Sequence, residues 1–261
     1  MSRIRPPAVA GLFYPADPGQ LHSDIQSMLS TAAAVEPAPK ALIVPHAGYI
    51  YSGPIAASAF AQLKNIRHIV KRVILLGPCH RVPLRGLATS SADYFETPLG
   101  SIKIDREAIN RIAPLAQVRE YDLTHQQEHS LEVQLPFLQE MLEDFTLVPI
   151  VVGDATAEEV SEVLEKLWGG DETLIVISSD LSHYHDYNTA RAMDSETCLA
   201  IEEMDASAIH YDQACGRNPV TGLLLAARKH GLHVTTLDLR NSGDTAGDKS
   251  NVVGYGAWAL S

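Results

Sequence analysis

Short runs of apolar, β-branched residues alternate with amphipathic helical stretches along almost the whole of this 261-residue chain. Strands are expected at six such runs, near residues 41–44, 73–77, 145–152, 173–178, 233–240 and 251–260. Helices are expected between them, at residues 54–63, 105–112, 128–143, 156–168, 189–204 and 219–230. Each expected strand is bounded by Gly, Pro, Asp or Asn, as is usual for strands buried in a sheet. This alternation predicts an α/β protein.

Residues that begin and end helices support two of these predictions. Thr156 followed three residues later by Glu159 is a capping box, in which each side chain bonds the other residue's backbone N–H. Asn218 followed by Pro219 suits a helix N-cap and first turn, and Gly231 suits the end of the same helix. The sequence therefore predicts that helices begin at Thr156 and at Asn218.

The architecture follows from the alternation and from one predicted hairpin. Pro98-Leu99-Gly100 lies inside the segment 87–105 and predicts a tight turn between two strands, which we expect to make the central sheet mixed. The prediction is a three-layer α/β/α sandwich with a mixed central sheet. Because the chain has no internal repeat, low-complexity segment or linker, we expect one domain over residues 1–261.

Composition excludes several classes of partner. Lys and Arg number 20 against 32 Asp and Glu, so the net charge of −12 repels nucleic acid. No apolar run approaches the roughly 20 residues that span a bilayer, and prolines interrupt the N-terminal segment where a signal peptide would lie. The three cysteines are scattered and form no CxxC pair, which argues against a disulfide framework. We expect a cytoplasmic protein without a membrane or nucleic-acid partner.

Histidines follow three of the predicted strands. His46 comes after the run ALIV, His80 after VILLG, and His183 after TLIVISS, with Asp180 three residues before His183. Ligands of α/β sheets bind outside the carboxyl ends of the strands, so three such loops can converge on one cleft. A single histidine after a strand is usually structural, but three at equivalent positions predict a functional site.

A fourth group lies in the segment THQQEHSLE. His129 and Glu132 are three residues apart at the start of a predicted helix, so they are expected to share a face, with His125 one turn before. The spacing matches neither HExxH nor HxxEH, which excludes a zincin-type site. His129 is a candidate site residue, whereas His125 and Glu132 fit a capping and surface-charge arrangement better.

Cys215 precedes the helix that is predicted to open at Asn218. A helix N-terminus and the neighbouring Arg217 would favour its thiolate, the form that binds metal or attacks carbon. The alternative is a buried, inert thiol, and Cys198 in the middle of a helix is expected to be one. Arg81 and Arg217 could each neutralise an anionic substrate, but pairing with a nearby acid is the favoured expectation.

Five segments together resemble the Memo family. They are PHAGYIYSG (45–53), LLGPCHRVPL (75–84), EHSLEVQLPFL (128–138), SSDLSHY (178–184) and CGRNPVTGLLLA (215–226). The similarity extends from AGLFYPADPGQL (10–21) to the last strand and so covers nearly the whole chain. The fold of that family in turn resembles the class III extradiol, or LigB-type, dioxygenases. The resemblance implies a LigB-like sandwich.

The resemblance also implies a site. His46, His80 and Cys215 match the family's metal ligands, and Asp180 and His183 match its remaining polar site residues. His183 would then act as a general acid and base, and Asp180 would orient an imidazole or a water molecule. His129 lies on a motif that lines the same cleft, and it completes the predicted catalytic group.

The types of ligand limit which metals and which reactions are expected. Extradiol enzymes hold Fe(II) with two histidines and a glutamate, and a thiolate in the third position is softer. Such a set favours Fe(II), Cu and Zn over Mg or Ca. The resemblance implies a mononuclear site for Fe(II), with Cu or Zn as alternatives. It further implies an oxidoreductase that acts on a small molecule, an aromatic one among the candidates.

Two other readings remain open at this point. The chain could be an adaptor that binds metal or a peptide segment on an inherited enzyme fold. It could also be a metal-independent cysteine enzyme, with Cys215 as nucleophile, His183 or His80 as base, and Asp180 as the residue that orients the base. Prokaryotic members of the family are linked with a radical-SAM partner, which the resemblance adds as a candidate. Substrate and oligomeric state stay open.

Overall fold

The computed structural model of the chain describes residues 2–33 and 37–261. In chain order, these residues form the strands β1 (Ile4–Arg5), β2 (Ala41–Val44), β3 (Arg72–Pro78), β4 (Leu87–Thr89), β5 (Tyr94–Thr97), β6 (Gly100–Lys103), β7 (Val118–Glu120), β8 (Thr146–Val152), β9 (Thr173–Ser178), β10 (His183–His185), β11 (Val234–Asn241) and β12 (Val252–Leu260). They also form the helices α1 (Pro18–Ser30), α2 (Tyr49–Phe60), α3 (Arg106–Ile112), α4 (Leu123–Gln126), α5 (Leu135–Met141), α6 (Ala157–Leu167), α7 (Tyr187–Glu202) and α8 (Arg217–Lys229). All six predicted strands are present within two residues of their expected bounds.

A large mixed sheet forms the middle of the molecule. Its strand order is β10-β12-β2-β9-β3-β8-β4-β7, and β11 pairs with β12. The four central strands β2, β9, β3 and β8 run parallel, and their side chains are almost all buried. Fully buried parallel strands need continuous apolar runs, which is why these segments were readable from sequence.

The predicted hairpin is present but lies elsewhere. Strands β5 and β6 pair antiparallel across the turn at Pro98 and Leu99, and they join β1 in a separate three-stranded sheet. The expectation that this hairpin makes the central sheet mixed was therefore wrong. The central sheet is mixed because β4 runs antiparallel to β8, and β12 runs antiparallel to β2.

Helices cover both faces of the large sheet. Helices α1, α2 and α5 contact one another, while α3, α6 and α8 form the second group. The close contact of α6 with α8 requires Gly222, since a Cβ there would lie 2.4 Å from Val160. The predicted three-layer α/β/α sandwich with a mixed central sheet is confirmed. No helix within the described part of the chain has the length and apolar character to cross a bilayer.

Several helix boundaries differ from the prediction. The capping box of Thr156 with Glu159 is present, but α8 begins at Arg217, with Gly216 as its N-cap. The helix expected at 128–143 begins only at Leu135, after one 3-10 turn. Its first residues instead form an irregular loop, because their polar groups bond distant parts of the chain. Helix α1 was missed altogether, although Asp17 caps it.

Candidate metal centre

The predicted convergence of strand-end loops occurs at one edge of the large sheet. His46, His80 and Asp180 each lie two residues beyond the ends of the neighbouring parallel strands β2, β3 and β9. They open onto a cleft of about 630 Å³, which we call the histidine cleft. Its lining residues are His46, Pro78, Cys79, His80, His129, Asp180, His183, Tyr184, His185, Tyr211, Asp212, Ala214, Cys215, Arg217 and Asn218.

Three of these residues bring potential metal-ligating atoms together. One nitrogen each of His46 and His80 and the sulfur of Cys215 all lie within 4.8 Å of one another. The Cys215 Sγ is 3.2 Å from His46 Nε2, and the rings of the two histidines meet edge-on with centroids 5.2 Å apart. We call this group the His–His–Cys cluster. Its members come from three separate segments of the chain.

The hydrogen bonds around Ser178 fix the protonation of His46. The Ser178 hydroxyl donates its single proton to the carbonyl of Ser130 at 2.6 Å, and its oxygen accepts from the Gln134 amide. It can therefore only accept from His46 Nδ1, which lies 2.8 Å away and must carry the ring proton. His46 Nε2 is consequently a bare lone pair that points toward Cys215.

Glu128 fixes His80 in a similar way. Its carboxylate accepts from the His80 ring at Nδ1 (2.9 Å), from the His80 backbone N–H (2.6 Å) and from the Ser130 backbone N–H (2.9 Å). Burial would raise the pKa of Glu128, but the bonds from His80 and Ser130 lower it to about 2. A carboxylate on one ring nitrogen turns the other toward a metal and raises its basicity.

Cys215 sits against the end of β9 because its neighbour is a glycine. A Cβ on Gly216 would lie 2.6 Å from the Ser178 carbonyl oxygen, so a larger residue would push the thiol away. The backbone N–H of Asp180 donates to Cys215 Sγ at 3.3 Å. Burial, and then the charge of Asp180, raise the pKa of the Cys215 thiol well above its usual range. Burial therefore opposes the thiolate that the helix N-terminus and Arg217 were expected to favour.

Asp180 and His183 occupy different positions in the cleft. Asp180 is buried, and its Oδ1 accepts a 2.6 Å hydrogen bond from the His46 backbone N–H, while Oδ2 lies 4.0 Å from His46 Nε2. Burial raises the pKa of Asp180 despite that bond. His183 is half-buried at the start of β10. The geometry suits Asp180 to positioning the His46 loop and His183 to contacting a ligand.

His129 forms a wall of the same cleft. Its ring stacks on His80 with centroids 4.7 Å apart, and Phe13 packs on it at 4.7 Å. Burial and the nearby imidazole of His46 lower its pKa to about 4. Its Nδ1 is 3.5 Å from Glu128 without forming a hydrogen bond. The group His80, Glu128 and His129 is a second set of potential ligands that shares His80 with the first.

The two weaker candidates lie outside the cleft. Glu132 is buried and forms an ion pair with Arg5, and the His125 carbonyl accepts from the same guanidinium. The expectation that Glu132 shares a helix face with His129 was wrong, because the helix begins three residues later, at Leu135. Both residues are buried in a structural centre around Arg5, so the expected capping and surface-charge arrangement was also wrong.

Two residues of the site were missed by the sequence analysis. Glu128 was overlooked beside His129, although an acidic residue next to a candidate histidine was a visible signal. Ser178 gave no signal, because it ends a buried strand like any other small residue. Both act by orienting a ring whose outer nitrogen faces the cleft.

The residues of the cluster fit a mononuclear metal ion. Two imidazoles and a thiol form a borderline-soft donor set, which suits Fe(II), Cu or Zn. Three protein ligands leave coordination positions for a substrate, as in catalytic rather than structural sites. Metal-binding histidines usually donate a hydrogen bond from the ring nitrogen that does not face the metal. Here the Nδ1 atoms of His46 and His80 bond Ser178 and Glu128 in this way.

Comparisons with known proteins agree with the resemblance read from the sequence. The family model described as Memo-like protein matches residues 5–259. A MEMO1 family protein of Aquifex aeolicus is 36% identical, and the alignment covers 97% of each chain. Others from Methanosarcina mazei (37%, over 97% of this chain and 98% of the relative) and Ignicoccus hospitalis (38%, over 97% of each) are similar to the same extent. The chain therefore belongs to the Memo-like protein family.

Proposed function

We propose that the chain is a metal-dependent oxidoreductase whose mononuclear centre is held by His46, His80 and Cys215. The observation that carries this proposal is that one nitrogen from each of the two imidazoles and the sulfur of the thiol lie within 4.8 Å of one another. A metal-free catalytic cysteine is less well supported, because burial raises the pKa of the Cys215 thiol. Among the described residues, the imidazole hydrogen-bonded to Cys215 Sγ is that of His46, whereas that reading requires His183 or His80 as the base.

Iron is the first candidate metal, with copper or zinc as alternatives. Ferrous iron bound at the cluster would supply open coordination positions and one-electron chemistry for a substrate and dioxygen. This chemistry is what a relationship to LigB-type extradiol dioxygenases would lead us to expect. The three cysteines are unpaired, which fits a reducing, cytoplasmic location.

The other cleft residues take roles that follow from their contacts. His183 lies half-buried at the cleft wall, where it can accept a proton from a substrate hydroxyl and return it. Asp180 holds the backbone of His46 in place, and His129 packs against the ring of His80. The substrate is a small molecule, and a radical-SAM partner remains an expectation from the family resemblance.

Metal content tests the proposal. We expect near-stoichiometric metal in the anaerobically purified chain and its loss in His46→Ala and Cys215→Ser. Cys79→Ser is the matched control, since that thiol lines the same cleft but donates to Val82 and stands outside the cluster. Absence of metal even after anaerobic loading with Fe(II), or full occupancy in Cys215→Ser, would overturn the proposal.

Oxygen uptake with catechols and thiols tests the reaction separately. His183→Ala should keep the metal and lose turnover. A chain that binds metal and consumes no oxygen with any of these compounds would favour the adaptor reading. Loss of the metal from His183→Ala would instead make His183 a ligand.

A further inference from the structure

The histidine cleft contains one permanently charged cation. Among the described residues that line it, Arg217 is the one Arg or Lys, and it is half-buried beside Cys215. No carboxylate of the described chain lies within 4.0 Å of its guanidinium, and its hydrogen bond goes to the neutral Asn218 Oδ1 at 3.2 Å. The expectation that Arg217 pairs with a nearby acid was therefore wrong.

This lack of a partner is unusual for a half-buried arginine in so acidic a chain. The net charge is −12, and the partly or fully buried guanidiniums of Arg5, Arg72, Arg106 and Arg240 each have a carboxylate within 4.0 Å. Arginine is rarely withdrawn from water without a partner, because its charge then loses hydration without compensation. The positive charge at Arg217 is thus left for a group that enters the cleft.

The guanidinium is held in place without being neutralised. Asn218 donates from Nδ2 to the Gly153 carbonyl at 2.8 Å, which leaves its Oδ1 to accept from Arg217. Arg217 is also the first residue of the 13-residue helix α8, whose N-cap Gly216 offers no side chain to the first turn. The helix dipole therefore adds to the positive potential at this wall of the cleft.

We propose that Arg217 binds the carboxylate of a small organic monoanion, and that this class of compound is the ligand of the cleft. The planar guanidinium matches a carboxylate through two parallel hydrogen bonds. Asp180 and the exposed Asp212 also line the cleft, so a ligand with one negative charge is opposed less than one with two, such as a phosphate ester. The inference rests on the proposed function in one respect, since both take the histidine cleft as the place where the substrate binds.

The rim of the cleft indicates the rest of the ligand. Tyr184 and Tyr211 both line it, with 73% and 86% of their surfaces exposed. Exposed aromatic rings at a cleft mouth offer apolar faces to a planar or apolar body. Benzoate is therefore a suitable probe, and benzamide is its uncharged counterpart of nearly the same shape.

Titration calorimetry with the two probes tests the inference on the full chain, as purified and again after chelation. The second condition separates the attraction of Arg217 from that of any metal. We expect benzoate to bind at least about tenfold more tightly than benzamide, as a charge-assisted pair allows. Arg217→Gln should abolish this preference and keep the metal content. Arg81→Gln makes the same charge change at an exposed residue outside the cleft lining, and it should keep the preference.

The inference fails if benzoate shows no saturable binding, or if Arg217→Gln still prefers benzoate to benzamide. Inorganic phosphate bound as tightly as benzoate would also contradict the assignment to a monocarboxylate. If Arg217→Gln does not fold, Arg217→Lys is the deciding variant. Lysine keeps the charge but cannot form two parallel hydrogen bonds to a carboxylate, so the preference for benzoate over benzamide should fall. Metal content is measured on the same samples, so a chain without metal that still prefers benzoate would separate this inference from the proposed function.

Discussion

Two polar groups, the buried Arg5–Glu132 centre and the more exposed His–His–Cys cluster, differ in how far their hydrogen-bonding capacity is used up. Around Glu132, the carboxylate accepts from the Arg5 guanidinium, from the backbone N–H groups of Ala8 (2.8 Å) and Val9 (3.0 Å), and from the Tyr14 hydroxyl (2.6 Å). Buried polar groups that are fully bonded in this way hold a fold together. We read this centre as structural.

The cluster in the cleft is built in the opposite way. Among the described residues, His80 is bonded at Nδ1 and not at Nε2, whereas His46 is held at Nδ1 and meets the half-buried Cys215 sulfur with Nε2 at 3.2 Å. The potential ligand atoms thus face one another in one place, an arrangement suited to binding a cation. The comparison teaches that polar atoms gathered in one place with bonding capacity to spare are the better guide to function.

The two groups are nevertheless connected through the loop between α4 and α5. Arg5 donates from Nε to the His125 carbonyl at 3.0 Å and from Nη2 to the Glu128 carbonyl at 2.8 Å. Glu128 in turn holds the ring of His80. The structural centre therefore fixes the backbone of the residue that orients one predicted ligand.

The largest effect is expected from Glu132→Gln. The amide leaves Arg5 buried without its counter-charge, which typically costs about 3–5 kcal/mol of the free energy of unfolding. Urea-induced unfolding of the metal-free chain measures it. Asp154→Asn is the control, because its pair with Arg85 is exposed and should contribute little. A change below about 1 kcal/mol for Glu132→Gln would show that the centre is not a main support of the fold.

The next largest effect is expected from Glu128→Gln. It removes the charge that orients His80, so metal affinity should fall by about 10- to 100-fold while stoichiometry under excess metal is kept. Chelator competition measures the affinity, and Glu140→Gln, which alters the surface pair with His22, is the control. Unchanged affinity would remove Glu128 from the site. A stability loss as large as that of Glu132→Gln would erase the contrast between the two groups.

The smallest effect is expected from Asp105→Asn. Asp105 is a second carboxylate that is hydrogen-bonded within the fold, and it lies far from the cleft. Burial would raise the pKa of Asp105, but bonds from the Ala108 N–H and from Arg72 lower it below its usual range. Its contribution is therefore present above the unfolded pKa of about 3.9 and is lost as the pH falls toward the folded value. We expect a loss of about 1 kcal/mol near neutral pH that shrinks below pH ~4, and no change in metal affinity. A stability gap that stays constant down to pH ~3 would contradict the assignment.

The sequence was most informative where local pattern and topology act together. Apolar runs marked the central strands, and the parallel arrangement then placed His46, His80 and Asp180 at one edge of the sheet. Cys215 entered the predicted ligand set through the family resemblance, and the structure places it 3.2 Å from His46. Fold class and the convergence of the cleft were thus predictable.

Contacts between distant segments were not predictable in the same way. Glu128 bonds a residue 48 positions earlier, and Glu132 bonds one 127 positions earlier, so no local period reveals either role. The same contacts interrupt the helix that was expected to start at Glu128, because bonds to side chains and backbone elsewhere replace those of a first helical turn. The unpaired state of Arg217 likewise depends on which acids the fold brings near it.

A titration with Co(II) tests most directly whether His46, His80 and Cys215 form one metal centre. A thiolate bound to Co(II) gives a charge-transfer absorption that imidazole and carboxylate ligands do not give. We expect this band to saturate at one equivalent in the wild-type chain and in Cys79→Ser, and to be absent from Cys215→Ser, while the metal-free proteins unfold alike. A band that persists in Cys215→Ser, or no band in the wild-type chain, would contradict the assignment of the cluster.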